Sequence, residues 1–321
     1  MTTPHGSSAA GISEGKATPR SELPARSGRL GGRTPGSDKT AGEDVVRMQP
    51  MEVGVFLCST GIDDPLEALK KLQELGINNC QLPPLGPDWL TTEKAGVIRK
   101  ALDDAGVVAT TQFVGFPDES YADIAAVERT VGFLQEDKLP ERMEMTKKAI
   151  AFGAEVGVPA VAAHIGFVPE DTADPRYPRL VDTIREICDA CADKGLKFSM
   201  ETGQETAEEM REFIKTVDRP NLHVNFDPAN MILYGKDKPV EAVGVLAPWI
   251  VSVHCKDGDW PTKEGQLGSE QPLGEGQVDI PAFVAKLKEI GYTGPLTIER
   301  EAGDDRIGDI LRAKELLESL R

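Results

Sequence analysis

The sequence predicts an α/β fold, a (β/α)₈ TIM barrel over residues 49–321, behind a disordered N-terminal extension over residues 1–48. Three observations lead there. From residue 51 onward, short apolar runs alternate with amphipathic stretches, the pattern of a parallel sheet wrapped in helices. Many of the amphipathic stretches stop at a glycine just before the next apolar run, where a helix end takes up a left-handed residue. The last four apolar runs each finish on a polar side chain, and barrels of this kind carry their sites at the C-terminal ends of their strands.

Residues 1–48 are rich in Gly, Ser, Thr, Pro and Arg and hold no Phe, Trp or Tyr. Such a segment buries too little apolar surface to offset its ordering entropy. Acidic residues at Glu14, Glu22, Asp38, Glu43 and Asp44, with no apolar run, do not fit a targeting peptide. Met48 and Met51 stand just before the first strand, where translation would begin if the extension were not made.

The expected strands are 52–58, 77–82, 107–114, 159–165, 196–201, 222–227, 250–255 and 295–300. The expected helices are 64–75, 91–105, 141–156, 177–194, 206–217, 238–246, 280–290 and 305–320. Gly76, Gly106, Gly157, Gly195 and Gly291 mark helix ends. An extra helix-like stretch interrupts the third unit within residues 115–140. Eight strands in strict alternation with helices favour a closed barrel over an open doubly wound sheet.

Composition excludes several classes. Net charge is −17, from 53 acidic and 36 basic residues, which opposes binding to phosphate backbones; no nucleic-acid partner is expected. No stretch approaches the roughly 20 apolar residues of a membrane span. Five scattered cysteines without a secretory pattern point to a reducing, cytoplasmic setting. Cys188 and Cys191 form a lone C-x-x-C inside a helix, read as two small residues on one helical face. No G-x-G-x-x-G follows a strand, which argues against a nicotinamide dehydrogenase.

The polar strand ends are Glu201, Asp227, His254 and Glu299, on strands five to eight. Each has an ordinary reading: a helix cap, a turn former at Asp227 before Pro228, a solvated charge cluster around Glu299, a core histidine at 254. Four metal-competent side chains in one register favour a single site. Three carboxylates and an imidazole suit one divalent ion with open positions, Mn²⁺ first, with Mg²⁺ or Co²⁺ as alternatives. Of four histidines, His5 lies in the extension and His223 opens strand six at the opposite end. His164, closing strand four, is either a substrate donor or a buried histidine.

The chain resembles the xylose isomerase-like barrel superfamily of sugar isomerases and epimerases over residues 52–320. The motifs are SMETGQE (199–205), NFDPANMILYG (225–235), SVHCKDGD (252–259) and LGEGQVDIPAFVAKLKEIGYTGPLTIERE (273–301). The resemblance implies one divalent metal held by Glu201, Asp227, His254 and Glu299. It also implies a small-molecule sugar substrate and an oligomer, dimer or tetramer. Ketose 3-epimerases usually carry a histidine where this chain has Asn230, and an arginine shortly after the metal histidine, where this chain runs Lys256-Asp257-Gly258-Asp259-Trp260. The H-x-K-D form is shared with inosose dehydratase-like lyases.

The chemistry these residues would carry is proton movement beside a carbonyl, with Glu201 and Glu299 as acid and base through an enediolate. Return of the proton to the same carbon gives an epimer, return to its neighbour an isomer, and loss of a β-hydroxyl a dehydration product. His164, Asn230, Lys256, Trp260, Phe113 and Glu275 are the candidate substrate contacts. Lys256 either meets a substrate oxygen or neutralises the acidic ligands; Trp260 covers the substrate or anchors its loop; Phe113 and Phe116 face the sugar or only pack. Segment 258–277 is a candidate lid. Glu275 lies in the Gly274–Gly276 run, a weak phosphate signal, so an unphosphorylated substrate is favoured. The alternatives from other classes are an endonuclease IV-like repair enzyme, disfavoured by few histidines and an acidic chain, and a non-catalytic sugar-binding module, disfavoured by the intact quartet.

Overall fold

A computed structural model describes residues 48–263 and 265–321. The expected disorder of residues 1–48 falls, but for Met48, outside these residues.

Short, almost wholly buried strands form because their apolar residues face helices on one side and the barrel interior on the other. In chain order come β1 (Val53–Phe56), α1 (Pro65–Glu74), β2 (Asn79–Leu82), α2 (Thr92–Ala105), β3 (Val108–Val114), α3 (Ile124–Thr130) and α4 (Leu139–Val156). They continue with β4 (Ala160–Ala163), α5 (Arg176–Ala192), β5 (Lys197–Glu201), α6 (Ala207–Val217), β6 (Leu222–Phe226), α7 (Pro228–Leu233) and α8 (Pro239–Leu246). The chain ends with β7 (Ile250–Cys255), β8 (Asp257–Asp259), β9 (Ser269–Gln271), α9 (Ile280–Glu289), β10 (Leu296–Ile298) and α10 (Arg306–Leu320). Strands β1 to β7 and β10 close a barrel, β10 pairing with both β7 and β1 in parallel. The predicted barrel is therefore the observed one.

The differences lie at strand ends and in loops. The first strand stops at Phe56, and Leu57–Thr60 turn into a 3₁₀ helix. The last stops at Ile298, because the Arg300 N–H bonds the Ser59 hydroxyl instead of a neighbouring strand. Strand β4 stops at Ala163, so His164 lies just past it. Helix α3 accounts for the interruption in the third unit and starts at Asp123, whose carboxylate accepts from the Ala126 N–H. Helix α7 has Asp227 as its cap and Pro228 at its first position, a favourable start for a six-residue helix. Segment 258–277 holds an antiparallel hairpin, β8 on β9.

The core lies between barrel and helices, with Phe226 stacked on Phe283 at 5.8 Å. Cys188 and Cys191 are buried in it, and burial pushes the Cys191 thiol up to about 12. Loops after β3 and β4 touch backbone to backbone at Gly132, where a side chain would start 2.1 Å from the Ile165 carbonyl. That contact fixes the rim beside His164.

Candidate metal centre and active site

Glu201 ends β5, Asp227 caps α7 directly after β6, His254 is the penultimate residue of β7, and Glu299 follows β10. The barrel register thus turns four side chains to one point at the mouth. One ligand atom from each lies within 4.8 Å of every other. His254 Nδ1 stands 2.8 Å from Glu201 Oε1, 2.9 Å from Glu299 Oε2 and 3.6 Å from Asp227 Oδ2. All four residues are buried.

These donors fit a cation. Asp227 Oδ2, His254 Nδ1 and Glu299 Oε2 are buried and aim at the same place, and despite the close approach of His254 and Lys256 none completes a well-formed hydrogen bond. An unsatisfied buried polar atom costs about 1–3 kcal/mol, and three together are compensated by a shared positive ion. Three carboxylate ligands with Glu301 nearby face a single lysine, an excess that a divalent ion balances. Oxygen donors with one imidazole belong to the harder divalent ions.

The imidazole is oriented from behind. His254 Nε2 meets Gln81 Oε1 at 2.7 Å, Gln81 Nε2 donates to Asn225 Oδ1 at 3.1 Å, and Ser252 Oγ donates to the same oxygen at 2.6 Å. Because the Gln81 amide nitrogen is already donating, its oxygen takes the Nε2 proton, so Nδ1 is the nitrogen whose lone pair a bound cation would meet. Phe113 stacks on His254 at 5.3 Å with 24° between the planes, and Phe56 packs at 5.2 Å, sealing that side with apolar surface.

The two glutamates of the quartet sit in different surroundings. Glu201 meets His164 Nε2 at 3.1 Å and Asn230 Nδ2 at 3.4 Å. Glu299 meets Lys256 Nζ at 3.3 Å, and Lys256 reaches on to Glu301 at 2.5 Å. Burial pushes the Glu299 carboxyl up to about 8, against the pull of His254 and Lys256. Lys256 holds Glu301 below the usual carboxylate range. Burial alone would strip the protons from Lys256 and His254, and the carboxylates around them reverse this, raising both. Asp227 is lowered because His254 and Lys256 outweigh the burial that opposes its charge.

Above the quartet opens a cavity of about 760 Å³. His164, Asn230, Lys256 and Phe113 line it, as do Glu201 and Glu299. Trp260 and Glu275 do not. The Trp260 N–H bonds Gln277 Oε1 and its side chain packs on the core; Glu275 points to solvent at the loop tip. Phe116 lines the cavity and also packs edge-on against Phe133.

The segment read as a lid is tied down. Asp257 takes four backbone N–H groups into its carboxylate: Gly258 and Val278 on Oδ1, Gly274 and Gly276 on Oδ2, at 2.9–3.1 Å. The glycine-rich run therefore binds an internal anion, and its amides are not free for a phosphate. Glu270 of β9 bonds Arg300 at 2.5 Å and the Glu301 N–H at 3.0 Å, holding the hairpin to the loop after β10.

Sequence reasoning missed Gln81, Asn225 and Ser252, whose signal was polarity inside otherwise apolar strands. It also missed Glu301, visible as a second acid two residues past Glu299, and the cavity residues Tyr121, Tyr234 and Glu270. Those three sit on loops or short elements whose side-chain direction has no periodic signature.

A family model for the xylose isomerase-like TIM barrel matches residues 69–321. Among solved structures, a xylose isomerase domain protein from Planctomyces limnophilus is 40% identical, with a TM-score of 0.79 over 86% of this chain and 98% of that one. L-ribulose-5-phosphate 3-epimerase of Salmonella paratyphi C is 26% identical over 54% of this chain and 61% of that protein. Inosose dehydratase of Geobacillus kaustophilus is 30% identical over 40% of this chain and 46% of that protein. The chain thus spans less than two thirds of the length of these curated relatives. Among the described residues, no helix is long and apolar enough to cross a membrane.

Proposed function

Since this chain belongs to the xylose isomerase-like TIM barrel family, we propose that it is a divalent-metal-dependent enzyme that epimerises or isomerises a keto-sugar. The observation carrying this reading is the convergence of Glu201, Asp227, His254 and Glu299 within 4.8 Å at the barrel mouth. When bound there, the metal would supply charge stabilisation for an enediolate.

The protein's own groups do the proton work. One of Glu201 and Glu299 takes the proton from the carbon beside the carbonyl, and the other returns a proton. Their unequal surroundings favour the division: Lys256 sits beside Glu299, while His164 and Asn230 sit around Glu201. Lys256, fixed between Glu299 and Glu301, presents its charge at the cavity floor to a substrate oxygen. Phe56 and Phe113 keep water from the reacting carbon.

Dehydration of a keto-sugar or keto-inositol is the second reading. It is favoured by His164, whose Nε2 reaches Glu201 at 3.1 Å and which lines the cavity where a leaving hydroxyl would need a proton.

The test is to incubate Mn²⁺-, Mg²⁺- or Co²⁺-loaded protein in D₂O with ketoses, keto-inositols and oxidised sugars, and to locate the exchanged carbon by NMR. Deuterium on a carbon beside the carbonyl supports proton transfer, and an epimer or a dehydrated product separates the two readings. Exchange in no compound of the panel would remove the proposal.

A further inference from the structure

Three of the four candidate ligands are aimed by the element that carries them. Glu201 is the last residue of β5, His254 lies within β7 with Gln81 behind it, and Asp227 caps α7. Glu299 has no such element. Strand β10 is three residues long and ends at Ile298, and the Glu299 N–H meets the Cys255 carbonyl at 3.2 Å as the chain leaves the sheet.

The next residue, Arg300, is held at every polar group that could fix it. Its N–H donates to Ser59 Oγ at 2.9 Å, and its carbonyl accepts from Arg306 Nη1 at 2.5 Å. Its buried guanidinium gives Nη1 to Glu270 at 2.5 Å and Nε to Asp309 at 2.7 Å. Gly303 leaves room for it, since an added carbon there would start 2.6 Å from Arg300 Nη2. The same Glu270 carboxylate accepts the N–H groups of Glu301 at 3.0 Å and Ala302 at 3.3 Å. The backbone from which Glu299 projects is thereby pinned to β9.

The opposite edge of the hairpin is pinned as well. The Gly268 N–H donates to the carbonyl of Leu233 at 2.8 Å, and Leu233 ends the helix that Asp227 caps. The approach is close enough that a carbon added at Gly268 would start 3.1 Å from the Leu233 Cα. Strand β8 itself begins at Asp257, three residues past His254. One hairpin therefore touches the segments that bear Asp227, His254 and Glu299. Stability alone is a weak reason for the buried guanidinium, because an apolar group of similar volume often stabilises as much or more. What the guanidinium adds is direction, since its donors are fixed in one plane.

We infer that Arg300 and Glu270 are positioning residues of the metal centre: through them the β8–β9 hairpin sets the place of Glu299 relative to Asp227 and His254. The inference rests on the metal-dependent reading proposed above. It makes segment 258–277, read from the sequence as a lid, a fixed bracket.

The test turns on the sign of an effect. The full chain is freed of metal with EDTA, titrated with Mn²⁺ by calorimetry and loaded with Co²⁺ for visible absorption. Removing a positive charge strengthens the attraction for a cation, so Coulomb's law alone makes Arg300→Met bind Mn²⁺ more tightly. Positioning makes it bind about tenfold or more weakly, the size found for groups that orient metal ligands. Arg300→Lys keeps the charge but loses the planar fork, and should also weaken binding. In Arg300→Lys and Glu270→Gln the Co²⁺ band should change shape, because it follows the arrangement of donors around the ion. Melting of each metal-free variant shows that it is folded at the temperature of titration; should Arg300→Met not fold, Arg300→Lys decides. Affinity equal to or above the parent's in the folded arginine variants, with unchanged Co²⁺ bands, would overturn the inference and leave the metal centre standing. A brace that serves only stability gives that result together with a lower melting temperature. A parent that takes up neither ion would remove the metal reading and this inference with it.

Discussion

The imidazole of His254 and the amide of Gln81 meet at 2.7 Å in the barrel interior, and the direction of that bond decides that Nε2 carries the proton while Nδ1 faces the carboxylates. With Gln81 Nε2 given to Asn225, only its oxygen is left for His254 Nε2–H. A ligand histidine held in one tautomer in this way binds metal more tightly. Gln81→Leu keeps the volume and removes the acceptor, and is expected to weaken Mn²⁺ binding by about 10- to 100-fold. Calorimetric titration of the metal-free protein measures it; equal affinity in the variant would mean that Gln81 does not set the tautomer.

Glu201→Gln and Glu299→Gln should each slow deuterium exchange by about 10²- to 10⁴-fold, since each removes one of the two proton carriers. Near-normal exchange in both would sink the role assignment.

EDTA should abolish exchange, and added Mn²⁺, Mg²⁺ or Co²⁺ should restore it. The same addition should raise the melting temperature, because an ion that binds only the folded chain at about 100 times its Kd stabilises it by about 2.7 kcal/mol. A melting temperature indifferent to all three ions would argue that the quartet holds no metal.

Glu205 makes the fold's stability depend on pH away from the quartet. Burial pushes its carboxyl up to about 8, and its Oε1 accepts from the Val168 N–H at 2.9 Å. Unfolded, it titrates near 4.3, so between these values the folded chain keeps a proton that the unfolded chain releases. Its contribution is full below about pH 4 and drains away as pH rises through about 8. Glu205→Gln keeps the acceptor and drops the titration. It should melt close to the parent at about pH 5 and be more stable by about 5 kcal/mol at about pH 9. Parallel melting curves for the two proteins from pH 5 to 9 would contradict this.

Asp257→Asn turns one carboxylate oxygen into an N–H₂ aimed at other N–H groups, and should cost about 3 kcal/mol in urea unfolding. Gly276→Ala should disturb the same place, since its added carbon would start 2.3 Å from Asp257 Oδ1. Loss of stability below about 0.5 kcal/mol in both would show that the loop holds without this carboxylate.

The barrel was readable because its signal repeats: eight apolar runs, with a glycine stop after many of the helices. The quartet was readable because one register places Glu201, Asp227, His254 and Glu299 alike. What escaped lacks repetition. Helix α7 is too short for periodicity, although Asp227 and Pro228 spell its start. The hairpin of β8 and β9 joins segments ten or more residues apart through turn geometry that the intervening chain does not spell out. Gln81 and Asn225 are ordinary amides until the closed sheet brings strands two and six face to face across its interior. Trp260 and Glu275 drew notice as residue types on a mouth-side loop, but loop membership does not fix direction, and the Asp257 carboxylate pulls that loop into its own arrangement.

The four residues that could hold a metal lie at or just after the ends of β5, β6, β7 and β10, while Pro83 to Gly86 and Gly115 to Tyr121 follow β2 and β3. One half of the barrel supplies the four candidate ligands and the other half much of the cavity lining. A library randomised at only Leu85, Phe116 and Tyr121 would reshape the cavity wall while Glu201, Asp227, His254 and Glu299 stay in register.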